Sequence, residues 1–217
     1  MYHDLPEANA FAATFARLLP SGLATAACHI DSVQAGLVLL GIENDNAVNY
    51  SPSRRREFAA GRLAARQALA HLGLPPDSIP TGADRAPIWP DGCLGSITHA
   101  GGIALAAVGR VGPVSALGID MERCKAVDGA IAALVLTAGD DQDQDATLLF
   151  SIKESVFKCL YRRQQRIIDY SEVIVRVDGK AGRFEARPSA TALQPFPSLD
   201  GKFDQAFGFW RSAVWLI

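Results

Sequence analysis

A chain of 217 residues that is 49% hydrophobic and 20% charged can fill one large core or two small ones, and it is too apolar to stay unfolded. Its 21 Lys+Arg against 23 Asp+Glu leave a net charge of −2, which argues against a basic coat for nucleic acid. The longest aliphatic run, Leu37-Val38-Leu39-Leu40 and its neighbours, falls far short of the roughly 20 residues that span a bilayer, so no membrane segment is expected. Residues Met1–Glu7 lack a basic stretch leading into an apolar one, so no export signal is read. Cys28, Cys93, Cys124 and Cys159 stand far apart, with no Cys-x-x-Cys pair and no histidine at zinc spacing. Reduced, mostly buried thiols in a cytoplasmic, soluble, monomeric protein are the expectation.

In chain order, the alanine-rich residues 8–19 predict a helix. Val33 to Ile42, apolar and bounded by polar residues, predicts a buried strand, and Asn44-Asp45-Asn46 a turn. Ser51-Pro52 offers an N-cap with proline at the first helical position, opening a helix to about Leu72 that Gly73 and Pro75-Pro76 stop. Residues 75–95 hold many prolines and glycines and predict a loop. Ile103–Val108 and Val114–Ile119 predict strands joined through Gly109–Pro113. The Asp-rich stretch 139–145 precedes a second strong helix over about 146–163, and alternation returns in Val173–Val177 and Ser212–Ile217. Strands and helices mix without a regular βαβ rhythm or an internal repeat, which predicts an α+β fold.

Four segments carry residues suited to chemistry. On the first long helix Arg55, Arg62 and Arg66 fall within roughly 40° of one another, apart from an apolar stripe of Phe58, Ala65, Leu69 and Leu72. Arg54, Arg55 and Arg56 also crowd its N-terminus, where the helix dipole disfavours cations. A solvated basic face and a phosphate-binding face both account for this pattern, and the planar fork of arginine suits the second. The loop Arg85-Ala86-Pro87-Ile88-Trp89-Pro90-Asp91-Gly92 and the run Gly95-Ser96-Ile97-Thr98-His99 bring small polar groups to a strand edge. Taken alone, His99 fits a structural hydrogen bond and Trp89 fits a core plug as well as a ligand site. In Gly118-Ile119-Asp120-Met121-Glu122 the strand period puts Asp120 and Glu122 on one side and Ile119 and Met121 on the other. Two carboxylates on one face repel unless a cation joins them, and such hard oxygens suit Mg²⁺; a solvated strand end is the plain alternative. In the second long helix Leu149, Ile152, Val156 and Leu160 form a core stripe, leaving Glu154 and Lys158 one turn apart on roughly the opposite face. By itself that pair is an ordinary surface ion pair worth about 0.3–0.5 kcal/mol.

Together and in order, G-S-I-T-H, G-I-D-M-E and F-S-I-K-E-S-V-F-K resemble the 4′-phosphopantetheinyl transferase superfamily. A-G-R-L-A-A-R and R-A-P-I-W-P-D-G-C-L-G-S-I-T-H narrow the likeness to the enterobactin synthase component D type, over about Arg54 to Tyr161. The resemblance implies transfer of phosphopantetheine from coenzyme A to a serine of an apo acyl or peptidyl carrier protein. It also implies a requirement for Mg²⁺ and release of adenosine 3′,5′-bisphosphate. By motif position Asp120, Glu122 and Glu154 are implied as metal ligands, Lys158 as a contact to the phosphate beside the leaving group, and His99, with Thr98 beside it, as a holder of the coenzyme A phosphates. Arg62 and Arg85 match positions that hold the nucleotide's phosphates, and Arg55 and Arg66 are candidates because they share the Arg62 face. The serine proton would go to Glu154 or to a water on the metal. The implied fold is two similar α+β halves related by a pseudo-twofold, with the active site in the cleft between them. The junction is expected near Pro113, giving a coenzyme A-binding half at 1–112 and a metal-binding half at 113–217.

Two positions depart from the family pattern. Ala100 stands where Ser or Cys commonly follows the histidine, and Leu136-Thr137-Ala138-Gly139-Asp140 has Asp where the family often has Glu, which puts a base role there in doubt. Carriers of this class are usually acidic, and the run Arg162-Arg163-Gln164-Gln165-Arg166 reads either as a docking patch or as a solvated helix end. Two other function classes fit the residues less well. A Mg²⁺-dependent nuclease would want a lysine two residues after a strand carboxylate, where this chain has Cys124. A non-catalytic carrier-protein or nucleotide-binding module would be favoured by a lost metal ligand, and none is lost.

Overall fold

Helices and antiparallel strands follow one another irregularly in the computed structural model, which describes residues 7–141 and 143–217. Met1–Pro6, which carry most of the reading on an export signal, lie outside the described residues. The principal elements are α1 (Ala8–Phe15), β1 (Leu23–His29), α2 (Ala35–Val38), α3 (Ile42–Asn46), α4 (Pro52–His71), β2 (Cys93–Ala100), β3 (Ile103–Arg110) and β4 (Ala116–Arg123). They continue with α5 (Gly129–Val135), α6 (Ala146–Gln164), β5 (Val173–Asp178), β6 (Arg183–Pro188), β7 (Leu199–Ala206) and β8 (Phe209–Leu216). The fold is α+β, and the chain divides into two compact units, Met1–Gly112 and Pro113–Ile217. Among the described residues no helix is long and apolar enough to cross a membrane.

The first unit has a three-stranded sheet in the order β1-β3-β2, with α4 packed on one face. Ser51 caps α4 by accepting from the Arg54 N–H at 3.3 Å, and Pro52 takes the first helical position. The contact between helix and sheet is built from small side chains: Ala59, Ala60, Ala64, Ala65 and Ala68 of α4 meet Ala26 and Cys28 of β1 and Ala104 and Ala106 of β3. Alanines leave the backbones close enough for the Cys28 thiol to donate to the Ala60 carbonyl at 3.3 Å. The same burial pushes the Cys28 thiol up to about 11.

The second unit is a five-stranded antiparallel sheet in the order β4-β8-β7-β6-β5, with α6 laid along β4 and β8. Asp145 caps α6 with one carboxylate oxygen on the Thr147 N–H at 2.8 Å, and the other accepts from the Trp210 indole at 3.0 Å. Leu149, Ile152, Val156 and Leu160 form the buried stripe expected of them. Two buried hydroxyls, Ser151 and Ser212, lie 3.0 Å apart and fasten the helix to β8.

Several expected elements differ. Residues 33–42 are not a strand: the segment forms α2 and the start of α3, with Leu37 79% and Leu40 42% exposed. Gly41, at φ 47°, breaks the extended run there, and Asn44–Asn46 lie within α3 rather than in a turn. The strand next to β3 is instead β1, whose Leu-Ala-Thr-Ala-Ala-Cys-His has low intrinsic strand preference; burial against α4 overrides it. β2 begins inside the stretch expected to be a loop, and β6 and β7 fell outside the expected strands.

Candidate active site

In the second unit, Gly118, Asp120 and Glu122 share the face of β4 that meets α6, while Ile119 and Met121 are fully buried on the other face. Asp120 is 3% exposed, and its Oδ1 accepts from Lys158 Nζ at 2.6 Å; Lys158 also donates to the Ile119 carbonyl at 3.2 Å. The ion partner of Lys158 is thus Asp120 across the helix–strand contact, not Glu154 one turn earlier. Glu154 accepts instead from the Tyr170 hydroxyl, at 2.6 Å to Oε1. Burial, with the neighbouring Asp120, pushes Glu122 up to about 7; Lys158 counters this and Glu154 adds to it. The Tyr170 hydroxyl is pushed well above the phenol range by burial and by its bond to Glu154, with further contributions from Asp120 and Glu122. Three carboxylates therefore feel one another's charge here.

Among the described residues no three His, Cys, Asp or Glu side chains are gathered closely enough to hold a metal ion by themselves. Magnesium does not need three: it commonly takes one or two carboxylates and completes its shell with water and phosphate oxygens. The donor set is hard oxygen under mutual repulsion, which a divalent cation relieves, so Asp120, Glu122 and Glu154 fit that ion in kind. The buried Lys153 beside them serves another purpose. Its Nζ meets Asp140 Oδ2 at 2.7 Å, the Val135 carbonyl at 2.8 Å and the Tyr170 carbonyl at 3.1 Å. Asp140 also accepts from the Val175 N–H at 2.8 Å and the Thr137 N–H at 2.8 Å. Asp140 is thus a buried structural anion at this position.

In the first unit the three arginines of the α4 face part ways. Arg66 is 6% exposed and its NH1 forks onto Glu43 at 2.8 and 2.7 Å, while NH2 donates to the Val38 carbonyl. Glu43, fully buried, also accepts from the Ile79 and Leu40 N–H groups at 2.8 and 2.9 Å. Arg66 is therefore a buried structural partner, which corrects its place on an open phosphate-binding face. Arg66→Met is expected to lower stability by about 3–5 kcal/mol in urea titration, because Glu43 is left charged and buried. Unchanged stability would contradict this role.

Arg62 is 5% exposed, stacks 4.3 Å from the Phe58 ring centroid and donates to the Ile79 carbonyl at 2.7 Å and Thr81 Oγ1 at 3.0 Å. Burial brings its guanidinium down to about 10. It holds the base of a small loop whose far side presents Arg85. Arg85 is exposed and adopts φ 69°, a left-handed conformation that costs a non-glycine residue about 1–2 kcal/mol. Arg55 is tied to Asn44 Oδ1 at 3.0 Å. His99 lies on the α4 side of β2, and its Nε2 is 2.8 Å from NH1 of Arg54, which also pairs with Glu57 at 3.2 Å. Thr98, 4% exposed, projects from the opposite face of β2, so the structure does not bring its side chain beside His99.

The sequence places Arg54 in a basic run without a role of its own and does not point to Glu43 or Tyr170. Arg54 had a signal in the basic run opening α4, whereas nothing local marks Tyr170, 16 residues beyond Glu154. At the end of α6 the basic run is also divided. Arg166 forks onto Glu172 at 2.8 and 2.6 Å and holds that carboxylate down to about 2, while Arg162 and Arg163 are exposed.

An acidic cluster with a lysine in one unit, and arginines around a histidine in the other, define residue groups suited to phosphate chemistry. The comparisons agree. Residues 43–109 match the 4′-phosphopantetheinyl transferase N-terminal domain, and residues 116–200 match the 4′-phosphopantetheinyl transferase superfamily. The chain is 37% identical over 215 residues to the 4′-phosphopantetheinyl transferase Svp of Streptomyces mobaraensis, covering 93% of this chain and 86% of that protein. It is 30% identical over 178 residues to PptT of Mycobacterium tuberculosis, covering 74% of this chain and 78% of that one. With enterobactin synthase component D of Salmonella typhimurium it shares 36% identity over 132 residues, 55% of this chain and 54% of the relative. The chain belongs to the 4′-phosphopantetheinyl transferase superfamily and is an enzyme of phosphopantetheinyl transfer.

Proposed function

We propose that the chain moves the 4′-phosphopantetheine group of coenzyme A onto a serine hydroxyl of an apo acyl or peptidyl carrier protein, with adenosine 3′,5′-bisphosphate as the leaving product. The observation that carries this reading is the Lys158–Asp120 pair across the contact of α6 with β4, with Glu122 on the same strand face and Glu154 one turn before Lys158, in a segment that matches the family. Asp120, Glu122 and Glu154 would hold Mg²⁺, which when bound neutralises charge on the pyrophosphate. Lys158, now paired with Asp120, is the donor to the phosphate beside the leaving group, a fixed cation where charge develops. The serine proton would go to Glu154 or to a water at the cation site.

Arg85 and His99, with Arg54 at its side, are assigned to the nucleotide's phosphates, and Arg62 supports them from the base of the Arg85 loop. Arg55 stays a candidate for the same role. Arg162 and Arg163 form the reduced docking patch for an acidic carrier. We read the enzyme as a cytoplasmic monomer. Relatives named enterobactin synthase component D make a siderophore-type carrier the first to try. Separating the nucleotides after incubation with coenzyme A, Mg²⁺ and an apo carrier tests the reading. One adenosine 3′,5′-bisphosphate is expected per carrier modified, and none when the metal is chelated.

A further inference from the structure

We propose that Tyr170 is a positioning residue for transfer: its hydroxyl holds one oxygen of Glu154 so that the other stays aimed as a ligand for the divalent cation. This rests on the reading that Glu154 serves Mg²⁺. Tyr170 Oη donates to Glu154 Oε1 at 2.6 Å. The ring is seated on α6 itself, 6.0 Å from Phe150 and 5.0 Å from Phe157 between centroids. Those residues stand four before and three after Glu154, so all three share one helix face and the tyrosine lies across it.

The main chain of Tyr170 is held separately. Its carbonyl accepts from the buried Lys153 ammonium at 3.1 Å, and a reciprocal cap between Asp169 and Glu172 closes the turn that carries it. The position of the hydroxyl is thus set by contacts that do not involve Glu154. A glutamate on its own has three rotatable bonds, and a ligand carboxylate gains orientation from a hydrogen bond to its second oxygen. Removing such an outer partner typically lowers metal affinity about 10–100-fold.

Tyr170→Phe removes the hydroxyl and keeps both ring contacts, so it is expected to fold like the wild type. Mn²⁺ serves as the probe, titrated by electron paramagnetic resonance into wild type, Tyr170→Phe and Glu154→Gln, each with and without coenzyme A. Tyr170→Phe is expected to bind Mn²⁺ about 10-fold more weakly or worse, with unchanged urea midpoint and unchanged KM for coenzyme A. In the transfer assay its Mg²⁺ requirement should rise. Equal or tighter Mn²⁺ binding by Tyr170→Phe, with Glu154→Gln impaired, would overturn the role of Tyr170 and leave the metal reading standing. No Mn²⁺ binding by the wild type, or undiminished binding by Glu154→Gln, would overturn both.

Discussion

Gly118→Ala is expected to disable transfer and to weaken the fold, although it adds a single methyl group. A Cβ at Gly118 would stand 1.8 Å from the Ser155 carbonyl oxygen and 2.6 Å from the Cys159 nitrogen. Both atoms are backbone, so no side chain can turn aside and α6 itself must leave β4. That helix carries Glu154 and Lys158, and β4 carries Asp120 and Glu122. A separation of about 1 Å between groups that act together costs on the order of 100-fold in rate, and overpacking of this kind costs about 1–3 kcal/mol or more. We expect at least a 100-fold loss in kcat/KM together with a lower urea midpoint. Gly179→Ala, where an added Cβ meets nothing within 4 Å, is the control and should be silent. Wild-type turnover in Gly118→Ala would show that the close approach does not set the geometry of the site.

Asp120→Ala is expected to separate activity from folding. Asp120 is nearly buried, but its partner Lys158 keeps 29% of its side chain exposed, so the ammonium left behind can find water. The fold should therefore lose little. Transfer should lose far more, because this variant removes a proposed cation ligand and frees the lysine assigned to the phosphate. Losses of about 100- to 1,000-fold accompany removal of one fixed group that stabilises developing charge. Glu154→Ala should behave in the same way. Folded variants with undiminished transfer at ordinary Mg²⁺ would refute the assignment of these carboxylates.

Local signals in the sequence already define much of the fold and site. The Ser51-Pro52 start of α4, and the apolar stripe of α6, are local signals, and local physics decides them. The alternation that puts Asp120 and Glu122 on one face of β4 is equally local. What stayed hidden depends on distant partners. A wheel shows Arg55, Arg62 and Arg66 on one face, yet it cannot show that Glu43 waits buried opposite Arg66, 23 positions earlier. The Glu154–Lys158 spacing allows an ion pair along the helix, but the approach at Gly118 gives Lys158 a closer partner in Asp120. Val33–Ile42 reads as a strand because it is apolar, while the real strand at Leu23–His29, with alanine at three of its seven positions, carries no comparable signal. Its small side chains are what let α4 lie so close.

Transfer itself is read from the mass of the carrier. Apo acyl, peptidyl and aryl carrier proteins are each incubated with the enzyme, coenzyme A and Mg²⁺, then weighed by mass spectrometry. At least one is predicted to gain a single phosphopantetheine on its serine, and to stay apo when Asp120→Ala replaces the wild type. A wild-type enzyme that leaves every carrier at its apo mass would contradict the account.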